Sequence, residues 1–413
     1  MSAPRALGLT SLLALGVNGI VGVGIFFAPA DVAARAPGAL GVGIFAGVAL
    51  ALAPLALTFA TLGARFDEDG GPVVYARAAF GERASFAVGW IAYVSALAST
   101  AAVVSGLAHA IFGDRAIAAI ALACALAALV AAGLSLTARV WTAVTAAKLL
   151  PLVALVVASL VSTASVAASA GPAASTAGLA SAALVVTFAY QGFEIVPVVA
   201  GAARSSSRTV PAAVVLSLVA CAGLYVLLQR ACVRGVVDLA SSPSPLVSAA
   251  RFFGGPILAR VVEAGTTISA LGISIGMMAM TPRYLSSLAV NARLGLGLGE
   301  QDARGVPRRA LAVTLTLVLT LVASGSRGEL FALSSVAVLS QYAVTSVALI
   351  ALARRRARGL GARHAWLGVP GVLVAGAIAT GASRREWIAA GIALLLGVVV
   401  RAATERPSPS ATT

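Results

Sequence analysis

The run Gly16-Val-Asn-Gly-Ile-Val-Gly-Val-Gly-Ile-Phe26 lies in the middle of an apolar stretch that extends from Leu7 to Ala34. That stretch exceeds the roughly 20 apolar residues an α-helix needs to cross hydrocarbon. It is also longer than the core of a secretory signal, about 7 to 15 residues, although Arg5 precedes it and Ala28-Pro29-Ala30 resembles a cleavage site. It therefore reads as a spanning helix with a weak middle. Each interior glycine costs about 1 kcal/mol relative to alanine, and Gly16, Gly19, Gly22 and Gly24 fall within nine positions. At mid-membrane depth such a cluster lets a helix unwind, so that freed N–H and C=O groups face a cavity and coordinate charge. A close helix-packing face is the other reading of the same glycines. A dinucleotide fingerprint is excluded, because it needs a strand before the glycines and a βαβ unit around them.

Outward from this helix the same signal repeats. Apolar runs follow near Gly41 to Ala64, Ala84 to Phe112, Ala116 to Leu136, Val140 to Leu160, Leu179 to Ala203, Pro211 to Cys232 and Pro256 to Met280. Four more lie near Ala310 to Ala323, Leu330 to Ala353, Trp366 to Thr380 and Trp387 to Val400, the first, third and fourth of them short. Of 413 residues, 60% are hydrophobic and 10% charged, and the mean hydropathy is +1.00, whereas soluble domains carry roughly a quarter charged residues. The expected fold is an all-α integral membrane bundle of about twelve transmembrane helices in a single domain spanning 1–413. The polar stretches around 65–83 and 235–255 are loop-sized, and residues 403–413 read as a disordered tail.

The formal charge of +15 could suggest a nucleic-acid partner, but the arginines sit between the apolar runs, which is a matter of topology. With the N-terminus inside, 19 arginines fall on inner segments and 9 on outer ones. This bias places both termini in the cytoplasm and the chain in the cell's inner (plasma) membrane as a multi-pass protein. The lipid bilayer is then the expected partner, with no nucleic acid. Cys124, Cys221 and Cys232 have no Cys-x-x-Cys spacing and read as packing residues. His109 and His364 have no metal-ligand spacing, so neither a metal nor another cofactor is expected. No nucleophile elbow, zinc helix or phosphate loop is present, and an enzyme is not expected.

The sixth apolar run carries a second break, Phe188-Ala-Tyr-Gln-Gly-Phe-Glu-Ile-Val-Pro197. Gly192 loosens the backbone and Pro197 removes a hydrogen bond. Glu194 lies between them, and an acid at this depth costs about 2.5 to 3.5 kcal/mol on insertion scales. It is either a functional acid or a plug in a structural hydrogen-bond network. Lys148, the chain's only lysine, lies within the fifth run. Its ammonium is either a proton-linked group or a fixed cation that ties helices together through backbone carbonyls.

Taken together, these motifs resemble the amino acid permeases of the amino acid, polyamine and organocation superfamily. Four segments carry the resemblance: Gly22-Val-Gly-Ile-Phe26; Ala60-Thr-Leu-Gly63 with Gly70-Gly-Pro-Val-Val-Tyr75, Phe80-Gly81 and Gly89-Trp90; Phe188 to Glu194 with Ala200-Gly201, Arg208 and Pro211; and Thr281-Pro-Arg-Tyr284. The resemblance implies a five-plus-five inverted repeat of the leucine-transporter type. Helices one to five (1–162) and six to ten (178–354) would form the repeats, with two extra helices at 365–402. Substrate would lie between the broken first and sixth helices, at Ile20, Gly22, Val23 and Gly24 on the first and Phe188, Ala189, Gln191 and Gly192 on the sixth. Phe188 falls at an aromatic gate. Lys148 falls where some sodium-independent relatives place an ammonium at the sodium position, and Glu194 on an acid assigned to coupling. Val23 replaces the usual small Ser or Ala, and Phe66-Asp-Glu-Asp69 replaces a proline-containing stretch.

The expected activity is secondary transport of an amino acid or related amine by alternating access, proton-coupled and sodium-independent. An obligate amino acid or polyamine exchanger is the near alternative, and a transporter-like sensor without turnover the distant one. The sequence leaves the cargo, the oligomeric state and the pocket residues of helices three, eight and ten unread.

Overall fold

Backbone polar groups have no water partner in hydrocarbon, so a chain this apolar must satisfy them within helices. The computed structural model describes residues 7–113, 115–133, 138–166, 174–291, 296–324 and 327–404, and among these it is built of α-helices joined by short loops. In order they are α1 (Leu9–Ile20), α2 (Gly24–Ala33), α3 (Ala39–Gly63), α4 (Pro72–Phe80), α5 (Glu82–Phe112), α6 (Ala116–Ala131) and α7 (Ala138–Val161). Then come α8 (Thr176–Tyr190), α9 (Ser206–Gly235), α10 (Pro245–Asn291), α11 (Arg308–Ser324), α12 (Arg327–Arg354), α13 (Ala362–Ala379) and α14 (Arg384–Thr404).

Each of the twelve expected apolar runs contains helix. By length and apolarity alone seven helices qualify as membrane spans among the described residues, and the bent pair α1–α2 makes an eighth. Of the expected tail, 403–413, the first two residues end α14 instead, and residues 405–413 lie outside the described range. Two helices were not expected: the start of α10, Pro245 up to a kink at Gly254 and Gly255 (φ 67), lies in the stretch 235–255 read as loop-sized, and α4 occupies the loop-sized stretch 65–83. Its signals are local. Pro72 sits in the first turn, where a missing N–H is harmless, and Gly71 (φ 51) and Gly81 (φ 87) bound it with backbone that side-chain-bearing residues rarely adopt.

A continuous apolar core runs through α1, α2, α3, α5, α8, α9, α10 and α12. A smaller one joins α3, α4 and α12 through Leu62, Phe66, Tyr75 and Leu349. Outside these, Ile117, Val161, Ile257 and Leu50 are at least three-quarters exposed, an apolar outer surface suited to lipid. Cys124 belongs to that surface, while Cys221 and Cys232 are buried.

Arginines close helix ends whose last carbonyls lack intrahelical partners. Arg304 and Arg308 donate to the carbonyls of Ala132 and Ala131 at the end of α6, at 2.7 and 3.2 Å. Arg234 donates to the carbonyls of Ser159 and Ser162 at the end of α7, at 2.7 and 2.8 Å. Cations there also complement the negative end of the helix dipole.

Candidate functional site

The glycine run folds as a true break. Between α1 and α2 the helix is interrupted over Val21 to Val23, with Val21 (φ -74, ψ 82) out of helical geometry, and the two half-helices meet at 44°. Interrupting a helix strands carbonyls at the end of the first half and N–H groups at the start of the second. The carbonyls are met by side chains from other helices. Lys148 Nζ on α7 donates to the carbonyls of Asn18 and Val21, at 3.0 and 2.5 Å. Tyr225 OH on α9 donates to the carbonyl of Ile20, at 2.9 Å. Lys148 is 1% exposed, so its charge is held by these oxygens rather than by solvent. At the other side of the break, α2 begins at Gly24 with no side-chain cap on its amino end, so the positive end of its dipole is not met by a side chain from Val23.

The second break follows α8. The chain leaves the α-helix at Gln191, turns at Gly192 (φ 129) and continues as a 3-10 helix over Phe193–Ala202. Only glycine fits at 192 for two reasons. The φ is strained for any L side chain, and an added Cβ would run into the carbonyl carbon of Gly19 and the nitrogen of Ile20. A Cβ on Gly19 would in turn meet the Gly192 carbonyl oxygen at 3.0 Å. The two breaks therefore touch backbone to backbone. A third close approach, Gly24 against Ala189 and Phe188, extends the seam.

Glu194 is part of this second turn. Its Oε2 accepts the Gly192 N–H at 2.8 Å and the Tyr342 OH of α12 at 2.8 Å. Tyr342 packs edge-on against Phe59 of α3, 5.4 Å between ring centroids. The acid thus holds the turn and joins it to α12.

A cavity of about 1690 Å³ surrounds the seam. It is lined by Ile20, Gly22, Val23, Gly24, Phe188, Ala189, Gln191, Gly192 and Glu194, so every proposed substrate residue and one coupling residue share one space. Lys148 is not on its wall; it sits behind the break that forms the wall. At one end the cavity runs out among Glu68, Asp69, Glu82, Arg77, Arg283 and Arg401. At the other, Phe188 packs at a tilt of 40° against Phe331 of α12, 4.4 Å between centroids. Beyond Phe331 a separate chamber of about 530 Å³ contains Asp31, His109 and Arg115.

Three groups of residues escaped the sequence reading. Tyr225 and Tyr342 are tyrosines in long apolar helices, and nothing local marks them as partners of the breaks. Ser95 and Ser99 on α5 and Ser334 on α12 form, with Gln191, a hydroxyl–amide cluster across segments more than 140 residues apart in sequence. Asp69 accepts the Gly201 N–H at 2.9 Å, and Gly70 N–H donates to the Val198 carbonyl at 2.9 Å, fastening the α3–α4 loop to the segment after the second break. The start of α1 is fastened to the same segment by Leu7 pairing with Ala202 and Arg204. The acid-rich Phe66-Asp-Glu-Asp69 was the available signal for the first of these contacts.

Comparison with known proteins agrees with this architecture. The chain is 31% identical over 356 residues to an uncharacterized transporter of Mycobacterium tuberculosis, a match covering 84% of this chain and 80% of the relative. A second uncharacterized transporter of that organism is 27% identical, with 86% and 82% covered. An Escherichia coli protein provisionally named an arginine/ornithine antiporter is 27% identical, with 87% and 85% covered. Residues 7–409 match the amino acid permease family. With broken helices meeting at a central cavity and this match over nearly its whole length, the chain belongs to the amino acid permeases: it is a multi-pass membrane transporter and not an enzyme.

Proposed function

We propose that this permease is a secondary active transporter of α-amino acids that works by alternating access, with substrate bound at the seam of the two breaks. The observation that carries the reading is the pairing of opposite backbone ends at one cavity: an uncapped amino end of α2 beside the carbonyls and turn of Gln191–Gly192. A carboxylate is favoured at the first and an ammonium at the second. The repeats over 1–162 and 178–354, with 365–402 appended, are the fold that goes with this reading.

Sodium independence is supported by Lys148, which supplies fixed positive charge to carbonyls that would otherwise need a cation. Proton coupling is supported by Glu194, an acid lining the cavity and bonded to the Gly192 turn and to Tyr342 of α12 rather than to an arginine. The open end of the cavity lies among the arginine-bearing loops assigned to the cytoplasm, so this is an inward-open state with both termini cytoplasmic.

Exchange is a second reading, favoured by the name of the Escherichia coli relative. Purified protein in sodium-free liposomes tests both. Accumulation of an amino acid driven by an inward proton gradient supports coupled uptake. Flux only into liposomes preloaded with amino acid supports exchange, and flux that requires sodium overturns the coupling assignment.

A further inference from the structure

One part of the cavity wall consists of uncharged hydrogen-bonding groups. α5 turns Ala92, Ser95, Ala96, Ser99 and Val103 toward the cavity at the three- and four-residue spacing of one helix face. Ser99 Oγ lies 2.6 Å from Ser334 Oγ, which donates to Gln191 Oε1 at 3.1 Å. Ser95 Oγ donates to the Ser334 carbonyl at 3.3 Å, and Gln191 Nε2 to Ser335 Oγ at 3.3 Å.

The remaining capacity follows from counting donors and acceptors. A hydroxyl has one donor and two acceptor sites, and an amide nitrogen has two donors. Ser334 uses its hydrogen on Gln191, so Ser99 donates to Ser334 and keeps acceptor capacity. Gln191 keeps one N–H. Both are partly open to the cavity, whereas Ser95 and Ser334 are buried. The pair therefore offers one acceptor and one donor, and Ala92 and Ala96 leave room beside them.

Charge is arranged differently. Among the described residues the lining acids are Glu68, Asp69, Glu82 and Glu194. The first three belong to the open mouth with its arginines. Glu194 is engaged by Gly192 and Tyr342. None hydrogen-bonds to the serine cluster, and the Phe188 ring beside it already packs against Phe331, tilted by 40°. A second ammonium or a guanidinium placed there would lose water without gaining a counter-charge.

We propose that the side-chain end of the site selects α-amino acids with a short hydroxyl side chain, serine or threonine, over dibasic ones, with Ser99 and Gln191 determining specificity. The proposal rests on the reading of the seam as an α-amino-acid site. The substrate hydroxyl donates to Ser99 Oγ and accepts from Gln191 Nε2. An analogue lacking the hydroxyl leaves both unpaired, which is how such sites discriminate.

The test is a thermal-shift titration of the purified full chain with serine, threonine, alanine, arginine, ornithine, N-acetylserine and serine methyl ester. Serine and threonine should bind at least about tenfold more tightly than alanine, and arginine and ornithine more weakly still. Ser99→Ala should erase the preference for serine over alanine while leaving alanine binding intact, which also shows that the variant is folded. Ser99→Thr should restore the preference. Arginine or ornithine binding better than serine, or equal binding of serine and alanine by the unaltered protein, overturns the substrate class and leaves the seam reading standing. Binding of N-acetylserine and serine methyl ester as tight as that of serine overturns both.

Discussion

Replacing Lys148 by methionine keeps all but the last atom of the side chain's length and removes what holds the first break. The ammonium makes two charge-assisted hydrogen bonds, to the carbonyls of Asn18 and Val21, each worth about 1.5 to 3 kcal/mol. Part of that is offset in the native protein by the cost of burying the charge. Removal leaves two buried carbonyls unpaired, at about 1 to 3 kcal/mol each. Tyr225 still holds the Ile20 carbonyl, so the break loses most but not all of its support. A net loss of about 2 to 4 kcal/mol in the competent geometry follows from these terms. It corresponds to a fall of roughly 30- to 1000-fold in the population able to bind substrate. The assay is initial uptake by protein reconstituted in liposomes, beside its melting temperature in detergent. Lys148→Met should lose uptake by at least an order of magnitude and melt several degrees lower. Uptake within threefold of the unaltered protein, with an unchanged melting temperature, would refute the account of Lys148 as the latch of the break.

Three further outcomes are expected. Glu194→Gln keeps a partner for Tyr342 but cannot release a proton, so uptake should lose its dependence on external pH while substrate binding persists; an unchanged pH profile would return Glu194 to a purely structural role. Gly192→Ala puts a Cβ into the Gly19–Ile20 backbone at φ 129, where no side chain can move aside, and should destabilise by about 3 kcal/mol or more; a normal yield of folded, active protein would show that the seam is looser than described. Asp302, in the loop before α11, has its carboxyl held below the usual range, first by the Val306 N–H and then by Arg308. A lowered folded-state pKa contributes stability that is full above the ordinary carboxylate range and fades as pH falls through the lowered value. Asp302→Asn should therefore speed amide exchange across 303–308 at neutral pH, with the difference shrinking in acid. No difference at neutral pH would count against the loop's dependence on that charge.

The breaks and the buried charges were legible in the sequence because each is locally costly. Four glycines in one span, Gly192 shortly before Pro197, an acid at membrane depth and a single lysine in an apolar run all contradict what a plain spanning helix wants, and each led to a helix break or to a side chain bonded to one. Whether Glu194 served chemistry or structure stayed open, because its partners come from Gly192 on its own turn and from Tyr342, 148 residues away. The serine cluster was illegible for a different reason. Serines in a membrane helix are compatible with packing alone, and only the crossing of α5, α8 and α12 gives Ser95, Ser99, Ser334 and Gln191 a common purpose. The helix α4 was within reach, since Gly71-Pro72 opens it and Gly81 closes it, but nine residues are too few for a periodic signal.

The burial of Lys148 has a consequence for chemical labelling. It is the chain's only lysine and is 1% exposed, so an amine-directed reagent finds no side chain to acylate while the first break is held, any terminal amine aside. Modification at position 148 then occurs only when the ammonium lets go of its carbonyls and meets the reagent. The acylation rate of the unaltered protein, in its own membrane and with no introduced probe, becomes a clock for how often the break opens.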